Sequence, residues 1–132
     1  MQSSQQEESV PSKTRILIIE DHIDSAETLR VMLTIMGYHA DVAHDGVTGL
    51  HAAIALLPDI IICDIGLPEL DGYGVAAGLR ANHATSAIPV IAVTAYGEEV
   101  RGTILESGFL IHFVKPVDPQ ALTQAIAMYA AA

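Results

Sequence analysis

Five polar side chains with chemical potential stand directly behind, or at the end of, short apolar runs. Glu20 and Asp21 follow Ile16–Ile19, Asp64 follows Ile60–Cys63, Thr94 follows Val90–Val93, and Lys115-Pro116 follows Ile111–Val114. If those runs are parallel strands of one sheet, their C-terminal ends converge and bring three carboxylates, a hydroxyl and an ammonium to one crevice. Carboxylates held a few ångströms apart raise one another's pKa unless something compensates them. A hard divalent cation is the natural compensation. Mg²⁺ takes oxygen ligands, keeps several waters, and favours one or two carboxylates together with a phosphate oxygen. The Thr94 hydroxyl and Lys115 then complement a second anion beside the metal. This set suits phosphoryl transfer onto a carboxylate, with Asp64 as nucleophile.

The elements that must position these residues read as an alternation of strand and helix. The four runs are continuous and rich in β-branched residues, as in strands of a parallel sheet covered on both faces. Ala40–His44 is a fifth, weaker strand, interrupted by Asp41 and therefore placed nearer an edge. Leu29, Met32, Leu33 and Met36 form a helical stripe. Asp24-Ser25-Ala26-Glu27 precedes it with capping-box spacing and Gly37 stops it, so Asp24 reads as an N-cap and not as a metal ligand. Val47, Leu50, Ile54 and Leu57 mark a second helix that ends at Pro58; a third runs over Tyr73–Asn82 and carries Gly74 and Gly78. The fourth is expected over Glu98–Ser107, before Gly108. The last opens with Asp118 as N-cap and Pro119 at its first position. Five βα units imply an α/β fold with a doubly wound parallel sheet and right-handed crossovers.

Several residues have plainer readings. Cys63 is a small core hydrophobe, and Glu98 and Glu99 mark a helix N-terminus. His22, His39, His44, His51, His83 and His112 form no compact ligand motif. His22 stands at the pocket rim as a bystander.

Composition narrows the function. A chain of 132 residues fits one domain, read as residues 13–132 behind a polar, mobile tail at 1–12. Hydrophobic residues make up 51% and charged residues 17%, which is a core-rich composition. The formal net charge of −10 opposes binding to nucleic acid or to anionic membranes. The longest strictly apolar run, Ala125–Ala132, is far short of the roughly 20 residues of a membrane span. No secretory signal opens the chain, so a cytoplasmic location is expected.

The stretches ILIIED, IIICDIGLPELDGYGV, IPVIAVTAYG and GFLIHFVKPVD resemble the receiver domains of two-component response regulators, above all those associated with hybrid histidine kinases. The resemblance covers about Thr14 to Tyr129. It implies a flavodoxin-like (βα)5 fold with strand order 2-1-3-4-5 and Asp64 as phosphoacceptor. Mg²⁺ would be held by Glu20, Asp21, Asp64 and the backbone carbonyl of Gly66. Thr94 would hydrogen-bond the phosphoryl oxygen, Lys115 would pair with it, and Lys115–Pro116 would be a cis peptide. The phosphoryl group would come from a sensor histidine kinase or a histidine phosphotransfer protein. The output would be a downstream protein bound through the face of the fourth helix, fifth strand and fifth helix, by a monomer or a phosphorylation-dependent dimer. The chain would be a stand-alone signalling module and not an enzyme.

Three positions depart from or tune that pattern. His112 occupies the switch position three residues before the lysine, usually Tyr or Phe in the family. Gly66 and Tyr96, each two residues past a site residue, are expected to set the lifetime of the aspartyl phosphate. Two other readings compete. A phosphorylation-independent pseudo-receiver is opposed by Asp64, Thr94 and Lys115 and kept in play only by His112. An aspartate-nucleophile phosphohydrolase would want an acid where Gly66 stands.

Overall fold

The structure, a computed structural model, describes residues 13–130; the expected tail at 1–12 lies outside them. Five strands form one parallel sheet: β1 (Arg15–Ile19), β2 (His39–Ala43), β3 (Ile60–Asp64), β4 (Val90–Thr94) and β5 (Ile111–Val114). Their order is β2-β1-β3-β4-β5, as the resemblance implies. The helices are α1 (Ile23–Ile35), α2 (Gly46–Leu56), α3 (Gly72–Ala81), α4 (Arg101–Glu106) and α5 (Pro119–Ala130).

Side chains that alternate along the strands feed two apolar layers. Ile16, Ile18, Ile60, Ile62, Ile91 and Val93 pack with Leu33 of α1 and with Leu122, Ala125 and Ile126 of α5. Leu17, Ile19, Ile61, Cys63, Val90 and Ala92 pack on the other face with Ala53 of α2, Val75, Ala76 and Leu79 of α3, and Ile104 of α4. Both faces of β1, β3 and β4 are thus covered, which is why these strands read as unbroken apolar runs. Each fully buried Ile or Leu contributes about 1.5–3 kcal/mol relative to an exposed one. Edge strand β2 has mostly half-buried residues, matching its weaker pattern.

Several expected boundaries move. The cap of α1 is His22, whose Nδ1 accepts the Ser25 N–H at 3.2 Å and lies 2.8 Å from the Ser25 hydroxyl. Asp24 sits inside the first turn instead. The capping box does not close because the Glu27 carboxylate pairs with Arg30. Leu57 leaves α2 as a left-handed cap at φ 49° and is exposed. The expected helix over Glu98–Ser107 divides into a 3₁₀ turn, Glu98–Val100, and the six residues of α4. Its start has no side-chain cap, and Gly102 with β-branched Val100, Thr103 and Ile104 gives it little intrinsic propensity. Gly108 follows at φ 101°, a conformation that favours glycine. β2 is shifted one residue back from the expected Ala40–His44. Asp118 does cap α5, accepting the Gln120 N–H at 3.2 Å.

Candidate functional site

Asp64 is the last residue of β3, and Glu20 directly follows β1, held in line by its N–H donating to the Ala43 carbonyl at 3.0 Å. At the end of β5 the Lys115 N–H donates to the Thr94 carbonyl at 2.8 Å, so the sheet ladder itself aims the lysine. The ammonium donates to Glu20 Oε1 at 2.7 Å and to Asp64 Oδ2 at 2.9 Å. The other oxygens are also engaged: Glu20 Oε2 accepts the His22 N–H and Asp64 Oδ1 the Gly66 N–H, both at 3.0 Å. Carboxylate oxygens of Glu20, Asp21 and Asp64 all lie within 4.8 Å of one another. Glu20 and Asp64 are buried and Asp21 is exposed, so the cluster opens to solvent on one side.

Burial pushes the Glu20 carboxyl above the usual glutamate range. The Asp64 charge adds to this, while the Lys115 and His22 hydrogen bonds pull against it. Burial opposes the Lys115 ammonium, yet its hydrogen bonds to Glu20 and Asp64 and their charges outweigh that and hold its pKa above the ordinary lysine value. One ammonium thus ties together two carboxylates that repel each other.

Thr94 is 1% exposed, and its hydroxyl oxygen accepts the Tyr96 N–H at 3.1 Å. Tyr96 itself is 54% exposed. The Lys115–Pro116 peptide is cis. Gly66 is exposed, and a Cβ there would come no closer than 3.9 Å to Asp64 Oδ1, so a side chain at this position would stand beside the carboxylate without strain. A cleft of about 630 Å³ leads from Glu20, Asp64 and Lys115 between α1 and α5, with Asp24 in its wall.

His112 lies on β5 opposite Ala92 and is 7% exposed. Neither ring nitrogen has a hydrogen-bond partner. An unpaired buried polar group of this kind costs about 1–3 kcal/mol. Cys63, buried behind Asp64, has its thiol pushed far up by burial and acts only as core.

Two supporting contacts escape a reading of sequence alone. His44 Nδ1 lies 3.1 Å from the Glu20 carbonyl. At the start of α3, the Gly72 N–H donates to the Ile65 carbonyl at 2.9 Å, and a Cβ on Gly72 would fall 2.7 Å from both the Asp64 carbonyl oxygen and Ile65 Cα. The Asp71-Gly72 pair, a cap followed by glycine, was the available signal. Because the opposing atoms are backbone, Gly72→Ala is expected to lower stability by about 1–3 kcal/mol in urea denaturation, as over-packing does.

The strand order, the five βα units and the acidic crevice at the strand ends define a receiver-type α/β fold. The family model for the response regulator receiver domain matches residues 16–127. The chain belongs to that family and is a receiver domain of a two-component response regulator. It is 43% identical over 104 residues to the transcriptional activator protein IrlR of Burkholderia pseudomallei, covering 79% of this chain and 44% of that protein. It is 35% identical over 111 residues to the DNA-binding dual master transcriptional regulator RpaA of Synechocystis, covering 82% and 45%. The chain therefore spans less than half the length of these relatives. Among solved structures it resembles the receiver domain of the sensor histidine kinase PA1611 of Pseudomonas aeruginosa, which has a magnesium ion coordinated in its active-site cleft. The TM-score is 0.84 at 27% identity, over 92% of this chain and all of that one. Among the described residues no helix is long and apolar enough to cross a membrane.

Proposed function

We propose that the chain is a cytoplasmic phosphoacceptor module that takes a phosphoryl group from a phosphohistidine onto Asp64. The observation that carries this reading is the Lys115 ammonium bonded at once to Glu20 and Asp64, beside three carboxylates whose oxygens lie within 4.8 Å. Hard oxygen donors, two buried and one exposed, fit Mg²⁺; Glu20, Asp21 and Asp64 would hold it with the Gly66 carbonyl. Bound there, Mg²⁺ would supply positive charge against the oxygens of the phosphoryl group.

In the transfer, an Asp64 carboxylate oxygen attacks phosphorus, the P–N bond of the phosphohistidine breaks, and the imidazole nitrogen leaves with the electron pair. Lys115 moves from the carboxylates towards the incoming phosphoryl oxygens. The Thr94 hydroxyl, whose oxygen already accepts from Tyr96, turns its hydrogen to the same anion. The donor would be a sensor histidine kinase or a histidine phosphotransfer protein. The output would be a protein bound at the face of α4, β5 and α5, where Leu105, Leu110 and Val114 are exposed. A turnover enzyme is disfavoured because Gly66 offers no acid to a leaving group. The net charge of −10 makes a phosphate backbone a poor ligand for this chain.

Incubation with Mg²⁺ and acetyl phosphate is expected to add one phosphoryl group by intact mass, and none when EDTA replaces Mg²⁺. Addition of none under both conditions would overturn the reading. The adduct should change lifetime severalfold in Gly66→Asn and in Tyr96→Ala, measured by its decay after donor removal. An unchanged rate in both would remove these two positions from control of hydrolysis.

A further inference from the structure

His44 is the first residue beyond β2, where the chain turns into α2 with Asp45 as its cap. Its backbone is held between a strand ladder and a helix start: Ala43 pairs in register with Ile19, and Asp45 Oδ1 accepts the Thr48 N–H at 2.7 Å. From that anchored position Nδ1 reaches the Glu20 carbonyl oxygen at 3.1 Å. A carbonyl can only accept, so the ring nitrogen carries the hydrogen and donates it. On the other side of the Glu20 Cα, the Glu20 N–H donates to the Ala43 carbonyl at 3.0 Å. Both peptides flanking Glu20 are thus tied to the end of β2, which fixes the two soft dihedrals between them.

The second of these peptides carries the Glu20 carbonyl and the Asp21 N–H in one rigid plane, so whatever holds that carbonyl also sets the direction in which Asp21 leaves. The three carboxylates differ in what holds them. Glu20 and Asp64 are gripped at both oxygens, by Lys115 and by the N–H groups of His22 and Gly66. Asp21 is exposed, and its carboxylate has no hydrogen bond among the described residues. Its aim is therefore set by its backbone. Water could satisfy the Glu20 carbonyl as well as His44 does, but would not tie it to β2. We propose that His44 is a positioning residue for the metal site: its Nδ1–H holds the Glu20-Asp21 peptide in the orientation that keeps the Asp21 carboxylate beside Glu20 and Asp64. This rests on the Mg²⁺ reading of that cluster. A donor already aimed at the cation need not be ordered when the cation binds, and the affinity is higher for it.

The test is calorimetric titration of Mg²⁺ into the wild-type chain, His44→Ala and His44→Asn. The asparagine amide nitrogen is attached as imidazole Nδ1 is, one bond beyond Cγ, and can donate the same hydrogen bond; alanine cannot. Affinity is expected to fall about threefold to tenfold in His44→Ala, the worth of about one hydrogen bond, and to return to within about twofold of wild type in His44→Asn. Both variants lack the titratable ring, so an effect of its charge would move them alike. His44 is exposed, so neither substitution opens the core. In the metal-free chains the Asp21 amide resonance, which belongs to the same peptide, should be displaced in His44→Ala and stay near its wild-type place in His44→Asn. Unchanged Mg²⁺ affinity in His44→Ala, equal weakening in both variants, or an Asp21 resonance unmoved in His44→Ala overturns the proposal. A wild-type chain that binds no Mg²⁺ overturns the metal reading, and the proposal with it.

Discussion

Asp64→Asn is expected to accept no phosphoryl group from any donor, at any Mg²⁺ concentration, while remaining folded. Asparagine keeps the shape of the side chain, but its amide has no anionic oxygen to attack phosphorus. The hydrogen bonds also conflict. Asp64 accepts at both oxygens, from the Gly66 N–H on one and from the Lys115 ammonium on the other. One of those donors would face an NH₂ group in the variant. If the oxygen stays with Gly66, Lys115 keeps only Glu20, and the repulsion between residues 20 and 64 is gone. Stability should therefore change little, within about 1 kcal/mol, although phosphorylation falls to zero. Intact mass after treatment with Mg²⁺ and acetyl phosphate checks the first part, and urea denaturation the second. A variant that still gained one phosphoryl group would move the acceptor elsewhere.

Lys115→Met carries the next largest effect, and its sign depends on the metal. Without Mg²⁺ the substitution leaves Glu20 and Asp64 facing each other with no cation between them. Breaking a fully buried pair costs about 3–5 kcal/mol. The lysine side chain is 32% exposed, so about 1–3 kcal/mol is expected here. With Mg²⁺ the deficit should shrink, since the metal no longer competes with a resident ammonium; its affinity should rise on the order of tenfold. Denaturation in EDTA and in Mg²⁺, with titration of the metal, separates the two effects.

The pH dependence has a definite direction. Lys115 has its folded pKa raised, so its stabilisation is fully present below the ordinary lysine value and is lost as pH climbs through the raised one. That alkaline loss should be absent in Lys115→Met. Glu20 is also raised, but as an acid: the metal-free fold becomes less stable as pH rises from the ordinary glutamate value through the raised one. Proton and metal compete for this carboxylate, so Mg²⁺ affinity should fall as the solution is acidified.

Asp64, Thr94 and Lys115 were legible because each lies at the end of a strand buried on both faces, and such strands announce themselves as unbroken apolar runs. Glu20 and Asp21 gained meaning only beside those three. Helix boundaries were less legible. Capping depends on which side chain wins a backbone N–H: His22 reaches Ser25, while Glu27, the far half of the expected box, is taken by Arg30. The weak α4 shows the same limit, since Gly102 and β-branched neighbours let a 3₁₀ turn replace its first turn. His44 supports the site through a contact with Glu20 at the end of another strand, and Gly72 through a loop that closes back on Ile65; periodicity encodes neither. His112 was visible as an unusual residue at its position, but its burial and its unmet nitrogens belong to the packed fold alone.

The most direct test of the central claim is chemical mapping of the acceptor. An aspartyl phosphate is an acyl phosphate, and borohydride reduces it to the alcohol, converting the modified aspartate into homoserine. After treatment with Mg²⁺ and acetyl phosphate, peptide mapping should find that conversion at Asp64, and nowhere when EDTA is present. Conversion at Asp21 or at another carboxylate, or a phosphorylated chain with Asp64 unchanged, would contradict it.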